Sequence, residues 1–256
     1  MKLTAKNYFT PANNYLSASK IKDFLYDKTY FYKKHITHEI IPGDKTPSLI
    51  IGSGVDAWLT KSLNNFNKQF TCVDRRNLKN PPVGYTEITN DQLKTIASIV
   101  LSVKDTEAYK QIKRLKFKSQ VLLKQDDPNR RFAGLCGILD WLHISADGQI
   151  ATIVDLKTTA NLDKFRYLAE DYKYYLQLAF YEILVSFNFP KVQEIDSYIL
   201  AVENDQELNR VQMFKLDEKR LDLEKKQIWS IYHKLDQMKL TDFLPDRTDF
   251  DNYEVL

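Results

Sequence analysis

Cysteine is nearly absent: the chain's 256 residues include only Cys72 and Cys136. Two thiols make no disulfide framework, no structural zinc set and no iron–sulfur cluster. Cys136 sits in an apolar stretch and reads as core, which fits a reducing cytoplasm. Long apolar runs are missing as well. None approaches the roughly 20 residues that span a bilayer, so no membrane partner is expected. The opening Met1-Lys-Leu-Thr-Ala-Lys-Asn-Tyr8 has no apolar signal region, and a cytoplasmic location is the expectation. No Gly-x-x-x-x-Gly-Lys occurs, so ATP use is not expected of this chain. Strong charge of one sign is lacking too. The net charge of +3 permits nucleic-acid binding without arguing for it. There is no internal repeat, no low-complexity stretch and no Gly/Ser-rich linker. With 43% hydrophobic and 28% charged residues, the chain reads as one globular domain over 1–256.

What is present is concentrated between residues 137 and 159. Two apolar runs, Gly137–Ile144 and Ile150–Leu156, flank Asp147-Gly148, a hairpin signal. A two-residue turn there would set Ala146 opposite Gln149. Counting back along both strands then sets Asp140 opposite Asp155. Opposed side chains have Cβ atoms about 5 Å apart, so the two carboxylates repel unless a cation lies between them. Asp155 and Lys157 are two apart on one strand and share a face. The hairpin thus offers two oxygen ligands and a lysine at one spot, suited to a hard divalent cation and an anionic substrate. The plain alternative for an Asp-x-Lys is a solvated surface pair. The apolar run before Asp155 argues against it, because a charge ending a buried strand needs a partner or a task.

Around this hairpin the pattern predicts a helix capped by Ser17 or Ser19 and running to about His35. A turn follows at Pro42-Gly43-Asp44, then a helix from about Ser48 to Leu63 with Asp56 in its middle. The aromatics Tyr26, Tyr30, Phe31 and Tyr32 read as core more than as base-stacking groups. A short strand at Phe70–Asp74, a loop at Pro81–Gly84 and helices at about Asp91–Val103 and Thr106–Leu115 come next. Strands are expected at Lys118–Gln125 and Phe132–His143, then the second hairpin strand. A helical region over Leu162–Phe187, broken near Asp171, leads to strands at Val192–Val202 and Val211–Leu216. A helix at Leu221–Met238 and an irregular tail from Asp242 end the chain. This order implies an α/β fold with a central mixed β-sheet flanked by helices, plus an N-terminal helical elaboration.

Two further groups carry candidate chemistry. Gln177 and Tyr181, four apart, share one helix face following the Asp155–Lys157 strand. They could hydrogen-bond a water or a phosphate, or form a plain half-buried pair. Lys110, Lys113, Arg114, Lys116 and Lys118, with Arg130 and Arg131, form a basic cluster. It is either a solvated face or a rim that tracks phosphates.

Taken in order, Gly137-x-x-Asp140, Asp155-x-Lys157-Thr158-Thr159 and Gln177-x-x-x-Tyr181 resemble the PD-(D/E)XK nuclease superfamily. The likeness is to its exonuclease VIII (RecE)-like, phage-associated branch, related to the RecB nuclease domain and lambda exonuclease. Leu16–Leu25 is similar to the way many of these proteins begin. The resemblance spans about residues 15 to 190 and implies a restriction-endonuclease-like core. On it, 1–115 would be a largely helical N-terminal part, 116–240 the catalytic core and 241–256 a tail. It implies a metal-dependent deoxyribonuclease. Asp140, Asp155 and the Leu156 carbonyl would bind Mg²⁺ or Mn²⁺. Lys157 would orient the attacking water and stabilise charge on phosphate. Gln177 and Tyr181 would position DNA or water, with Lys113, Arg114, Lys116, Lys118, Arg130, Arg131 and Thr158 contacting DNA. Members of the branch commonly degrade duplex DNA ends, work with an annealing protein in recombination, and in some cases close into rings. A phage-encoded protein would act in the bacterial host's cytoplasm.

Two positions depart from the pattern. Where relatives often carry a metal-binding His, Gly52-Ser-Gly-Val-Asp56 puts Asp56, either a third ligand or a surface carboxylate. Where they often have a Glu before the Gly-x-x-Asp strand, Gln120 stands, a poorer ligand. These departures motivate a second reading, a catalytically impaired protein that binds DNA or a partner on the same fold. An endonuclease is a third.

Overall fold

The computed structural model describes residues 3–4, 7–8, 10, 13–40, 43, 45–72, 85–204 and 209–244. The expected turn at Pro42–Asp44 (apart from Gly43), the loop at Pro81–Gly84, Asp74 and the tail beyond Leu244 lie outside them.

The first expected helix is in fact two, α1 (Ala18–Tyr26) and α2 (Lys28–His35). Ser17 caps α1 through the Lys20 amide. Asp27 is extended (φ −158°, ψ 121°), and its carboxylate accepts from the Tyr30 amide at 2.6 Å. The cap competes with helix continuation and breaks the run. Of the four aromatics, Phe31 is buried and Tyr26 is 84% exposed. The second expected helix also divides. Thr46 caps α3 (Pro47–Asp56), whose Pro47 sits in the first turn. A π-helical turn follows over Ala57–Lys61. Ser62 leaves helical space and caps α4 (Leu63–Gln69) by accepting from Asn65.

β1 (Phe70–Cys72) pairs in parallel with β2 (Thr86–Ile88), a strand too short to show alternation in the sequence. A capping box of Thr89 and Gln92 starts α5 (Asn90–Asp105), and α6 (Glu107–Arg114) follows. Then come β3 (Lys118–Asp126), β4 (Gly134–Ile144) and β5 (Ile150–Thr159), in a five-stranded sheet ordered β3-β4-β5-β6-β7. β6 is Glu194–Glu203 and β7 is Val211–Lys215. Only β5 and β6 are parallel, so the sheet is mixed, as the pattern predicted. The crossover between them carries α7 (Phe165–Asp171) and α8 (Tyr174–Asn188). Lys173, at φ +51°, makes the expected break between the two helices. α9 (Glu218–Gln237) closes the described order, with a 3₁₀ turn at Leu240–Phe243.

Helices cover both faces of the sheet. One core joins Ala151, Ile153 and Leu139 to Ile21, Phe31, Phe180 and Ile228. The other joins Trp141, Val154 and Leu156 to Val55, Ile96, Ile99 and Ile112. Fully burying each such aliphatic or aromatic side chain contributes roughly 1.5–3 kcal/mol.

Strand β4 breaks the simple alternation. Leu135 and Leu139 face the first core, Trp141 the second, and Leu142 the first again. The faces invert at Asp140. Directly across the β3–β4 register lies Gln120, whose φ is +51°; Ser119↔Trp141 and Val121↔Leu139 are paired on either side of it. Such a backbone is uncommon for a side chain with a Cβ and recurs at functional sites.

Candidate active site

The hairpin register is the one read from the sequence. Trp141↔Val154 and Ile144↔Ala151 are paired, which extrapolates to Asp140 opposite Asp155. The turn itself is longer than expected. Ser145 pairs with Ile150, and the Gly148 amide donates to the Ser145 carbonyl at 2.9 Å, so four residues connect the strands. Gly148, at φ +75°, supplies the left-handed residue. A four-residue loop shares its register with the two-residue turn nested inside it, so the longer loop leaves Asp140 opposite Asp155.

Beyond Trp141 and Val154 the two strands part. There the Leu156 amide donates to Asp140 Oδ2 at 2.8 Å, in place of a strand carbonyl. Gln120 Nε2 approaches Asp140 Oδ1 at 3.3 Å, Asp56 Oδ1 at 3.1 Å and Thr60 Oγ1 at 2.9 Å. The end of α3 and the π-helical turn bring Asp56 and Thr60 to this point, and Thr60 Oγ1 also reaches Asp56 Oδ1 at 3.0 Å. On the other side, Gln177 Nε2 of α8 donates to Asp155 Oδ1 at 3.1 Å and to the Tyr181 hydroxyl at 3.0 Å. Lys157 Nζ lies 2.5 Å from Asp155 Oδ2. Asp56, Gln120, Asp140, Asp155, Lys157, Gln177 and Tyr181 therefore form one connected cluster.

The electrostatics are those of a carboxylate site short of positive charge. Burial, then repulsion from Asp155 and Asp56, raises the Asp140 pKa well above the carboxylate range. Burial also raises that of Asp56. For Lys157, burial works against the charged form. Asp155 and Asp140 outweigh it, so its pKa is raised. Tyr181 is driven well up by burial and stays a neutral phenol.

A cleft of about 360 Å³ opens on the cluster. Gly52 and Asp56 of α3 form one wall; Asp140, Leu156, Lys157, Thr158 and Tyr174 form the other. A Cβ at Gly52 would lie 3.0 Å from Thr158 Oγ1, so this glycine lets α3 approach β5 closely beside the cleft. Thr158 thus lines the cleft.

The basic residues divide. Lys118 lies two positions from Gln120 on β3, and Lys113, Arg114 and Lys116 lead into that strand. All four are exposed; Arg114 pairs with Glu107, and Lys113 Nζ lies over the Tyr109 ring. Arg130 and Arg131 instead sit in the loop before β4, whose first residue, Gly134, is six positions from Asp140, about 20 Å along a strand. Arg130 pairs with Asp236 at 3.0 Å, and Arg131 binds Asp236 and the Met238 carbonyl, so both fasten the end of α9.

Thr60, Tyr174 and Lys22 join the site without any motif in the sequence to announce them. Lys22 Nζ donates to Gln177 Oε1 at 3.0 Å and lies 5.4 Å from the Tyr174 ring centre, against 5.1 Å for Lys157 Nζ. Periodicity placed Lys22 on a helix but gave no means of placing that helix beside α8.

The residues present fit a hard divalent cation. Asp155 Oδ2 is buried and, among the described residues, has no hydrogen-bond donor in good geometry, its approach to Lys157 being a charge contact. Such an oxygen is a natural ligand position. Asp140 supplies the second carboxylate. The Leu156 N–H faces the split between β4 and β5, and the carbonyl of a strand residue points the same way as its N–H. Gln120 stands between Asp56 and Asp140. Among the described residues no three His, Cys, Asp or Glu side chains are grouped to hold a metal ion. The side-chain set is therefore two carboxylates, with Asp56 held off across an amide. No helix among the described residues is long and apolar enough to cross a membrane.

Comparison with known proteins agrees with this fold. A crystal structure of a candidate exonuclease from Eubacterium rectale superposes with a TM-score of 0.65 at 20% identity, covering 100% of this chain and 95% of that one. At that identity the likeness is one of fold. The structure of the protein SSO0001 matches 54% of this chain and 60% of its own, with 12% identity and a TM-score of 0.31, too low to carry an argument. No curated protein matches. A family profile described as a PDDEXK-like domain of unknown function (DUF3799) matches residues 17–254. The chain belongs to this PDDEXK-like family.

Proposed function

We propose that the protein is a metal-dependent deoxyribonuclease that hydrolyses phosphodiester bonds from duplex DNA ends. The observation that carries this reading is the buried pair of acidic side chains, Asp155 and Asp140, set at an open cleft with Asp155 Oδ2 contacted, among the described residues, by the Lys157 ammonium alone. Asp140, Asp155 and the Leu156 carbonyl would hold Mg²⁺ or Mn²⁺; Asp56 would join as a further oxygen, and Gln120 as a weak one, only once the Gln120 amide that stands between Asp56 and Asp140 has turned. Bound there, the ion supplies Lewis acidity toward phosphate oxygens and lowers the pKa of the attacking water.

The chain's own groups do the rest. Lys157 keeps its proton, so it places positive charge where the phosphate gains negative charge and orients the water by donation. Gln177 can serve the water only in one orientation. Lysine has no acceptor, so Lys22 fixes the Gln177 carbonyl toward itself and turns the amide nitrogen to Asp155. Tyr181, held by Gln177, props the amide from below. Thr158, Lys113, Arg114, Lys116 and Lys118 would track the DNA backbone. A place in phage or prophage recombination, an annealing-protein partner, a ring-shaped oligomer and a cytoplasmic setting belong to the same proposal.

The test is digestion of end-labelled linear duplex beside closed circular duplex, with Mg²⁺, Mn²⁺ or chelator, and Asp155→Ala as control. Metal-dependent loss of the linear duplex alone is expected. Cutting of the circle would make the protein an endonuclease. No cleavage with either metal would favour a DNA- or partner-binding protein, the reading that Gln120 supports by filling the carboxylate site with a neutral amide.

A further inference from the structure

We propose that Lys22 is a second phosphate-binding lysine of this cleft, holding a substrate phosphate next to the one that Lys157 faces. The inference rests on the nuclease reading and adds to it a residue outside the Asp-x-Lys strand. Lys22 is carried by a firmly placed element. Leu16, just before α1, pairs through its backbone with Gly134 and Cys136 of β4, and Ile21 and Phe24 are buried in the first core. The amine is therefore held beside Gln177 and the cleft residue Tyr174, half-buried, instead of sweeping through solvent.

Its surroundings are unusual for a buried cation. Among the described residues no carboxylate lies within ion-pair distance of Lys22. The neighbouring Asp23 is committed to Lys34 at 3.0 Å and His35 at 2.7 Å. Among the described residues the one hydrogen-bond acceptor Lys22 reaches is the neutral Gln177 Oε1, which leaves two of its three N–H donors for a ligand. Both Lys22 and Lys157 lie over the Tyr174 ring, which lines the cleft. Burial, with repulsion from Lys157, pulls the Lys22 pKa down to about 8. A desolvated ammonium beside another one is costly unless an anion arrives. Lys157 already has Asp155. Among the described residues Lys22 has no such contact and feels Asp155 only from beyond ion-pair distance, and a backbone phosphate is the anion that a DNA-cutting cleft admits.

A purely positional role, holding the Gln177 amide, predicts different results. Binding of a fluorescein-labelled 20-base-pair duplex in chelator, measured by anisotropy across a salt series, separates the two. Lys22→Met should lower the slope of log Kd against log salt by about 0.9, the loss of one phosphate contact. Lys22→Arg should restore it. Gln177→Leu, which removes the held amide and no charge, should leave the slope unchanged. In Mg²⁺, Lys22→Met should raise KM several-fold. An unchanged slope in Lys22→Met, with kcat alone reduced, overturns the proposal. So does a Lys22→Met protein that fails to fold, because removing a desolvated, unpaired cation should not destabilise the chain. A wild type that binds duplex and cuts nothing in Mg²⁺ or Mn²⁺ overturns the nuclease reading alone, and the salt slope still decides whether Lys22 holds a phosphate. A wild type that neither binds nor cuts overturns both.

Discussion

Asp140→Asn should make the metal-free protein more stable while abolishing cleavage. Extrapolated past its last pair, Trp141↔Val154, the register sets Asp140 opposite Asp155. Because the strands part there, the separation of about 5 Å between Cβ atoms of paired residues is a lower bound, and the repulsion worked from it an upper one. At an effective dielectric constant of about 20, two unit charges at that distance repel by about 3 kcal/mol. Attraction to Lys157 cancels part of this. The new amide also obliges Gln120 to turn its carbonyl toward it and give up its donation to Asp56, a loss of about 1 kcal/mol. The Leu156 amide keeps its acceptor. The net gain expected is about 1–2 kcal/mol at pH 8 in chelator.

The pH dependence of that gain has a definite sign. The folded-state pKa of Asp140 is raised, so its contribution to wild-type stability is fully present below the unfolded value of about 4 and is lost as pH rises through the folded value. Asn does not titrate. The variant's advantage should therefore vanish in acid and grow toward pH 8. Metal should narrow it again: with a Kd on the order of 1 mM, 10 mM Mg²⁺ would stabilise the wild type by about 1.4 kcal/mol and leave the variant nearly unchanged. Urea denaturation at pH 5 and pH 8, in chelator and in Mg²⁺, measures all of this. A variant less stable than wild type at pH 8 in chelator would refute the view of Asp140 as a desolvated carboxylate awaiting a cation.

The same geometry sets three other expectations. Lys157→Ala should lower kcat by at least about 100-fold, as loss of a donor aimed at developing charge does, while duplex binding survives; single-turnover cleavage and anisotropy check it. Gly52→Leu should press its side chain against Thr158 and push α3 from β5 at the cleft, cutting kcat/KM strongly and lowering the melting temperature, read by kinetics beside thermal denaturation. Arg210 bonds to Glu203 and, with the Leu162 amide, holds the Glu203 pKa down to about 2. That stability is present above the ordinary glutamate value and is lost as pH falls from about 4.3 toward the depressed one. Arg210→Ala should flatten the corresponding part of an acid-denaturation curve.

Much of the sheet was legible in the sequence because strand patterns are local. Alternation located β3, β4 and β5, and register along an antiparallel pair is simple counting, so Asp140 opposite Asp155 followed even though the turn proved longer. The Lys157 position followed from the two-residue strand period, and the break expected near Asp171 falls at Lys173, before α8. The helix breaks at Asp27 and Ser62 did not follow. There a side chain competes with the backbone for its own amides, and that contest leaves no period to read. The face inversion at Gln120 and Asp140 was equally hidden, because it lies in one left-handed residue and the strand opposite it.

The sequence by itself determined the ordered carboxylates, the lysine and the sheet that carries them, since each depends on neighbours a few residues away. Only the packing of distant elements has the end of α3 and the π-helical turn deliver Asp56 and Thr60 to Gln120, α9 engage Arg130 and Arg131, and α1 bring Lys22 against Gln177 and Tyr174. Those meetings join residues far apart in the chain, and packing two helical layers onto opposite faces of one sheet is what brings them together.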